Sequence, residues 1–179
     1  RTETEALILE YNLIKRHKPR FNVVLRDGKS YPYIHVSTEQ EFPRLSFYRG
    51  PRKKKGDLFG PYPSAGSVRE TLSQLQKLFQ VRQCEDSYFS NRTRPCLQYQ
   101  IQRCTAPGVG LVSVDDYRLD VEHAILFLEG RGEVVTESLV ERMEKASEDL
   151  EFERAAQYRD QISNLMHVES QQLVSRSAG

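Results

Sequence analysis

Phe152-Glu153-Arg154-Ala155-Ala156-Gln157-Tyr158-Arg159-Asp160-Gln161-Ile162-Ser163-Asn164-Leu165-Met166 sets Phe152, Ala155, Ala156, Arg159, Ile162, Leu165 and Met166 along one side of a helix. Residues three and four apart meet on a helix surface, so this stretch reads as one arm of a helical hairpin. Val135, Leu139, Met143 and Leu150 line the other arm, and Glu148-Asp149 lies near the turn. At about 25 cal/mol per Å2 of buried apolar surface, two such helices cannot offset the ordering entropy of roughly 35 residues. The hairpin is therefore expected to need a partner surface.

Upstream of it, Ser113-x-x-Asp116 opens a helix with Tyr117, Val121, Ala124, Ile125 and Leu128 on one stripe, and Gly130-Arg131-Gly132 closes it. Ser67-x-x-Glu70 reads as a capping box for another helix that ends near Gln80, with Val68, Leu72, Leu75, Leu78 and Phe79 on its core face. Residues 82–110 lie between these helices and are rich in Arg, Cys, Pro, Asn and Gly, with little periodicity. Their order must come from something other than a large apolar face.

The first third is β-rich after one helix. Thr2-x-x-Glu5 resembles a capping box, Ala6 to Leu9 with Leu13 and Ile14 supply apolar residues, and Pro19 closes the helix. Phe21 to Leu25 and Tyr31 to Val36 flank Arg26-Asp27-Gly28-Lys29, a hairpin signal. Arg44 to Tyr48 and Leu58 to Phe59 form a second pair around the loop tip from Arg49 to Asp57, which carries Arg52, Lys53, Lys54 and Lys55. Such a tip either touches a phosphate backbone or protects a strand edge with solvated lysines. The class is α+β: β-hairpins, an irregular cysteine-bearing segment, then an all-α part ending in the helical hairpin.

The 179 residues are 38% hydrophobic and 28% charged, with a mean hydropathy of -0.62. No apolar run approaches the roughly 18 residues of a membrane span, and the polar start Arg1-Thr2-Glu3-Thr4-Glu5 is not a signal peptide. A cytoplasmic location is expected. The chain starts at Arg1 without an initiator Met, and Ser175 to Gly179 reads as a flexible tail, so a fragment of something longer is expected. Net charge is +1 but divides sharply. Residues 1–110 hold 19 Lys/Arg against 10 Asp/Glu, whereas 111–179 hold 7 against 15. A basic first part suits a polyanion, nucleic acid being the commonest. Solvated surfaces that simply differ in sign are the plain alternative.

Cys84, Cys96 and Cys104, spaced C-x11-C-x7-C, all fall in the segment without a periodic core. Clustered thiols in a reducing compartment point either to a metal or iron–sulfur site or to incidental packed thiols. His17, His35, His123 and His167 are distant in sequence and read as structural or surface residues. Phosphate loops, HExxH and Gly-x-Ser-x-Gly patterns are missing from the sequence. Glu10, one residue past four apolar ones, sits at the rim of a core, where a carboxylate is either solvated or held for a divalent ion.

Six blocks carry a resemblance: Glu5 to Lys15, Pro19 to Asp27, Lys29 to Ile34, Phe59-Gly60-Pro61-Tyr62, Arg94-Pro95-Cys96-Leu97-Gln98-Tyr99, and Leu150-Glu151-Phe152-Glu153 with Ala155-Ala156 and Arg159-Asp160. In this order they resemble the UvrC family, a component of the bacterial excinuclease ABC, over nearly the whole chain. The resemblance implies the C-terminal part of a GIY-YIG nuclease domain over 1–36, a β-hairpin and helix region over 37–81 and a cysteine-rich region over 82–110. It further implies a connecting helix over 111–134, a UVR hairpin over 135–172 and a tail over 173–179. The catalytic Tyr and Arg of the nuclease are expected before Arg1, and an RNase H-like half after Gly179.

By the same resemblance, Glu10 binds Mg or Mn at the 3′ nuclease site with Asn22 as its polar neighbour, and the chain alone is not expected to cut DNA. Lys15, Arg16, Lys18 and Arg20, with Arg52 to Lys55, are the implied contacts to damaged double-stranded DNA. Leu150, Phe152, Ala155, Ala156, Arg159 and Ile162 are the implied contacts to the C-terminal hairpin of UvrB. The family has four cysteine positions for an iron–sulfur cluster or zinc, and the fourth falls here at Gly108. The implied function is incision on both sides of a lesion within the UvrABC complex. The alternative is a non-enzymatic, metal-binding UVR adapter of the McsA type in a Clp stress system, which has no need of the Glu10 to Asn22 block. A Cho-like chain is a third option, and it would lack the hairpin.

Overall fold

A computed structural model describes residues 31–51 and 54–177, with side chains described through Val168. Strand β1 (Tyr33–Val36) is buried at all four positions. It occupies the middle of a three-stranded antiparallel sheet in the order β2-β1-β3. Strand β2 (Leu45–Tyr48) pairs along one edge, Val36 opposite Leu45 and Tyr33 opposite Tyr48, and β3 (Asp57–Phe59) along the other, Ile34 opposite Phe59. The expected hairpin between β2 and β3 does not form. β1 is buried on both faces, which suits the centre, whereas β2 and β3 keep exposed residues that suit edges. The basic loop thus crosses from one sheet edge to the other. β1 is the strand on which β2 and β3 assemble.

Helix α1 (Ala65–Phe79) starts earlier than Ser67. Ser64 is its N-cap, the Ser64 hydroxyl accepting the Ser67 N–H at 3.1 Å, so the expected capping box lies one turn inside the helix. Its apolar face, Val68, Leu72, Leu75, Leu78 and Phe79, is buried as the periodicity predicts. Short helices α2 (Asp86–Ser90) and α3 (Leu97–Gln100) follow in the cysteine segment. Helix α4 (Val114–Leu128) has Ser113 as N-cap, its hydroxyl accepting from the Asp116 N–H at 3.1 Å and donating to the Asp116 carboxylate at 2.8 Å. Tyr117, Val121 and Ala124 are fully or nearly buried, with Ile125 and Leu128 packed beside them.

The hairpin is α5 (Gly132–Glu148) and α6 (Phe152–Ser177). Three findings revise the expectations for it. Leu150 is not on the first arm: it forms the turn in a left-handed conformation (φ 60) and is 71% exposed. α6 continues through residues 173–177, since no Gly or Pro interrupts it before Gly179. The hairpin also finds a surface within its own chain. Val135, Leu139 and Leu165 are buried in the same core as Ile34, Leu75 and Phe127, and Gln161 donates from its side chain to the Leu78 carbonyl at 2.6 Å. Each such aliphatic burial contributes about 1.5–3 kcal/mol. Among the described residues, no helix is long and apolar enough to cross a membrane.

Candidate functional site

The segment without periodic core is ordered by one cation. Arg82 directly follows the buried Val81 and is itself 3% exposed. Its backbone N–H donates to the Tyr117 hydroxyl at 3.0 Å, and that hydroxyl donates to the Pro43 carbonyl at 2.7 Å. The guanidinium donates to the carbonyls of Phe42 (2.9 Å) and Cys84 (3.2 Å), to the Gln40 amide oxygen (2.8 Å) and to Asp86 (2.9 Å), and lies 4.2 Å from the Phe89 ring centroid. A buried cation is tolerable only when its donors are satisfied in this way. Hydrogen bonds from Arg82 and then Gln40 hold the Asp86 carboxyl below the usual range. Nothing in the pattern Val81-Arg82-Gln83-Cys84 signals this role, because periodicity carries no information about a buried arginine.

Around this hub, Cys84, Cys96 and Cys104 line a cavity of about 20 Å3, with Gly108 in its wall. That is room for a single water-sized occupant. All three thiols are free. Burial, reinforced more weakly by Cys96 and Cys84, pushes the Cys104 thiol up to about 11, which keeps it protonated near neutrality. A Cβ on Gly108 would stand 3.2 Å from the Phe89 ring and from the Phe89 carbonyl oxygen, so a fourth thiol would press on Phe89. Among the described residues, no group of three or more His, Cys, Asp or Glu is placed to hold a metal ion. The three thiols share a cavity and, with Gly108 at the fourth position, supply fewer donors than the four of a zinc or iron–sulfur site.

The basic loop between β2 and β3 is anchored rather than free. His35 Nε2 donates to the Lys55 carbonyl at 2.6 Å, while its Nδ1 faces the Ser46 hydroxyl at 3.3 Å. Gly56 (φ 93) sits so close to β1 that a Cβ would overlap the Val36 carbonyl oxygen, which only glycine avoids. Tyr48 donates to the Pro51 carbonyl at 2.7 Å, and Lys54 lies 4.9 Å over the Tyr48 ring. Lys54 and Lys55 are exposed. Arg52 and Lys53 lie outside the described residues, as do Glu10, Lys15, Arg16, Lys18, Arg20, Asn22, the first helix and the Phe21 to Leu25 strand.

At the hairpin tip Phe152 is 65% exposed beside Leu150. Arg159 is exposed and pairs with Asp160 at 2.9 Å, and Ala155 and Ala156 are half-buried. Ile162 is half-buried and packs against the chain's own core. The acids Glu148, Asp149, Glu151 and Glu153 surround the tip and are exposed.

A polar seam between α4 and α5 has no counterpart in the sequence pattern. Arg142 bonds Asp116 at 3.3 Å and stacks 5.5 Å over Tyr158. Burial pushes the Asp120 carboxyl up to about 7 against the pull of Arg142, and lowers His123 to about 4. His123 Nε2 meets the Ser138 hydroxyl at 3.0 Å, while its Nδ1 has no partner among the described residues.

Sheet module, thiol cavity and a docked hairpin define a scaffold that joins a sheet carrying a basic loop to a helical hairpin with an exposed apolar tip. The sequence matches the UvrC/Cho excinuclease middle domain over residues 31–127, the UvrB/uvrC motif over 133–165 and the UvrC-like GIY-YIG domain over 1–23. The chain belongs to the UvrC/Cho excinuclease family. It is 65% identical over 179 residues to the UvrABC system protein C of Methylococcus capsulatus, 59% over 179 to that of Coxiella burnetii and 58% over 177 to that of Pseudomonas protegens. These alignments cover 99–100% of this chain but only 29% of each relative. No solved structure matches the chain.

Proposed function

We propose that this chain is the part of a UvrC-type excinuclease protein that docks on the C-terminal hairpin of UvrB and presents a basic face to damaged double-stranded DNA in the cytoplasm. The observation that carries it is the bare tip. Leu150 and Phe152 stay exposed on a hairpin whose other face is already buried, and the UvrB/uvrC motif spans that hairpin. An apolar knob ringed by carboxylates suits a partner groove rimmed by cations. The excinuclease-family match over 31–127 favours this reading over a McsA-like adapter.

Within the complete protein, which incises on both sides of the lesion, the 3′ incision needs Glu10 as the Mg or Mn ligand with Asn22 beside it. Both belong to this proposal. The cysteine cavity takes part as packed thiols rather than as a cluster.

Calorimetric titration of the chain with the isolated UvrB C-terminal hairpin tests the docking. Saturable binding that Phe152→Ala weakens about thirtyfold supports it, corresponding to about 2 kcal/mol at an interface centre. No heat of binding, or equal affinity of the variant, removes the tip from the interface.

A further inference from the structure

The cysteine segment carries a second feature that its thiols do not explain. Ser87, Tyr88, Asn91, Arg92, Thr93 and Arg94 line an open groove of about 590 Å3 between α2 and the loop that follows it. This lies within the roughly 300–1,000 Å3 of small-ligand sites. Its lining holds two arginines, two hydroxyls, an amide and an aromatic ring, but no carboxylate. Neither Arg92 nor Arg94 has an ion-pair partner among the described residues. The nearby acid, Asp86, is exposed but bound by both Arg82 and Gln40, so its charge is already paired away from the groove arginines. Tyr88 projects 65% exposed into solvent.

Guanidinium pairs with hydroxyl and amide donors suit phosphate oxygens, and an exposed ring beside them offers a face for an unpaired base. We infer that this groove binds a short single-stranded DNA segment, Arg92 and Arg94 contacting its phosphodiesters and Tyr88 stacking on a base. The inference rests on the DNA-repair reading above and assigns it a strand-contact site apart from the basic loop. Single-stranded rather than duplex DNA is favoured because stacking on Tyr88 requires a base released from its pair. Arg92 and Arg94 also line the thiol cavity, so the groove and the cysteines share a wall.

The test is fluorescence anisotropy of the whole chain with a labelled twelve-nucleotide oligo(dT) and with a duplex of equal length, across a salt series. Arg92→Ala/Arg94→Ala should weaken oligo(dT) binding at least tenfold and reduce the logarithmic salt slope by about 1.4, roughly 0.7 for each lost phosphate contact on a single strand. Tyr88→Ala should weaken it about tenfold with the salt slope unchanged, and Tyr88→Phe should retain binding. The thermal midpoint and UvrB-hairpin titration of each variant identify any that misfolds, and Arg92→Lys/Arg94→Lys then serves as the folded variant that keeps the slope. Oligo(dT) binding that the substitutions leave unchanged overturns the groove while leaving the DNA reading intact. Displacement of oligo(dT) by an acidic peptide of equal charge as effectively as by unlabelled oligo(dT) overturns the nucleic-acid assignment. Failure to bind either DNA form while the UvrB hairpin still binds overturns the groove and spares the docking proposal.

Discussion

Arg82 and Asp86 meet at 2.9 Å across a steep difference in exposure, the guanidinium side 3% accessible and the carboxylate side 54%. The pair is thus unequal in what each partner contributes. Arg82→Leu leaves the carbonyls of Phe42 and Cys84 without their donor and should destabilise the chain by about 2–4 kcal/mol. Asp86→Asn removes a largely solvated charge and should cost less than about 1 kcal/mol. Urea denaturation of both variants checks the ranking; equal losses would show that Arg82 is not the hub. Because Asp86 is held below its ordinary value, its contribution is present above the unfolded carboxylate range, near 3.9, and is lost as pH falls through the lower folded value.

The α4–α5 seam should show two opposing pH dependences. Asp120, raised to about 7, contributes stability present below its unfolded value near 3.9 and lost as pH rises towards 7. His123, lowered to about 4, does the reverse: its neutral form favours folding above about 6.5, and stability is lost as pH falls towards 4. Between pH 4 and 6.5 the slopes nearly cancel in the parent. Asp120→Asn should expose a stability that rises with pH over this window, and His123→Phe one that falls. Chemical denaturation at pH 4.5, 5.5 and 6.5 measures both, and parallel curves for all three proteins would reject the assignment.

Two residues of α6 separate docking from folding. Leu165→Ala should lower stability by about 2–5 kcal/mol, because Leu165 is fully buried. Phe152→Ala should leave the thermal midpoint within about 2 °C while weakening UvrB-hairpin affinity, since its ring is mostly in solvent. A large drop in midpoint for Phe152→Ala would place the ring in the chain's own packing.

Gly56→Ala should disturb the basic loop through its positive φ and the Val36 carbonyl, costing at least about 1–3 kcal/mol locally. Duplex-DNA affinity should fall with it although no charge is removed. Unchanged affinity would mean that the position of Lys54 and Lys55 is immaterial to binding.

Gly108→Cys supplies the missing thiol, but its Cβ must displace Phe89 by a few tenths of an ångström. The expected result is a small loss of stability without metal and a gain of zinc or iron measured by elemental analysis. Metal content equal to the parent would show that the cavity geometry, and not donor number, closes the site.

Periodicity made the helices legible. Val68 to Phe79 and Tyr117 to Ala124 are buried where spacing put them, because one face of each helix meets one core. The run from Tyr31 to Val36 reads as a strand, and the strand forms over Tyr33–Val36, but its place is not legible, since sheet order depends on which run is buried on both faces. Leu150 misled because its hydrophobicity fits a helical stripe while its backbone serves a turn. Arg82 and Tyr117 were hidden for a different reason: their partners lie up to 74 residues away and are mostly backbone carbonyls, which leave no trace in side-chain identity. The sharing of Ile162 between an expected interface and the chain's own core is equally invisible to spacing, because one helical face serves either partner.

The hairpin that shares its core with the sheet behaves as a ruler rather than a tether. α6 spans 26 residues, about 39 Å at 1.5 Å each, and its middle is fixed against α1 by Leu165 and Gln161. Anything gripping the tip at Phe152 would therefore be held at a set distance and angle from the loop pinned by His35.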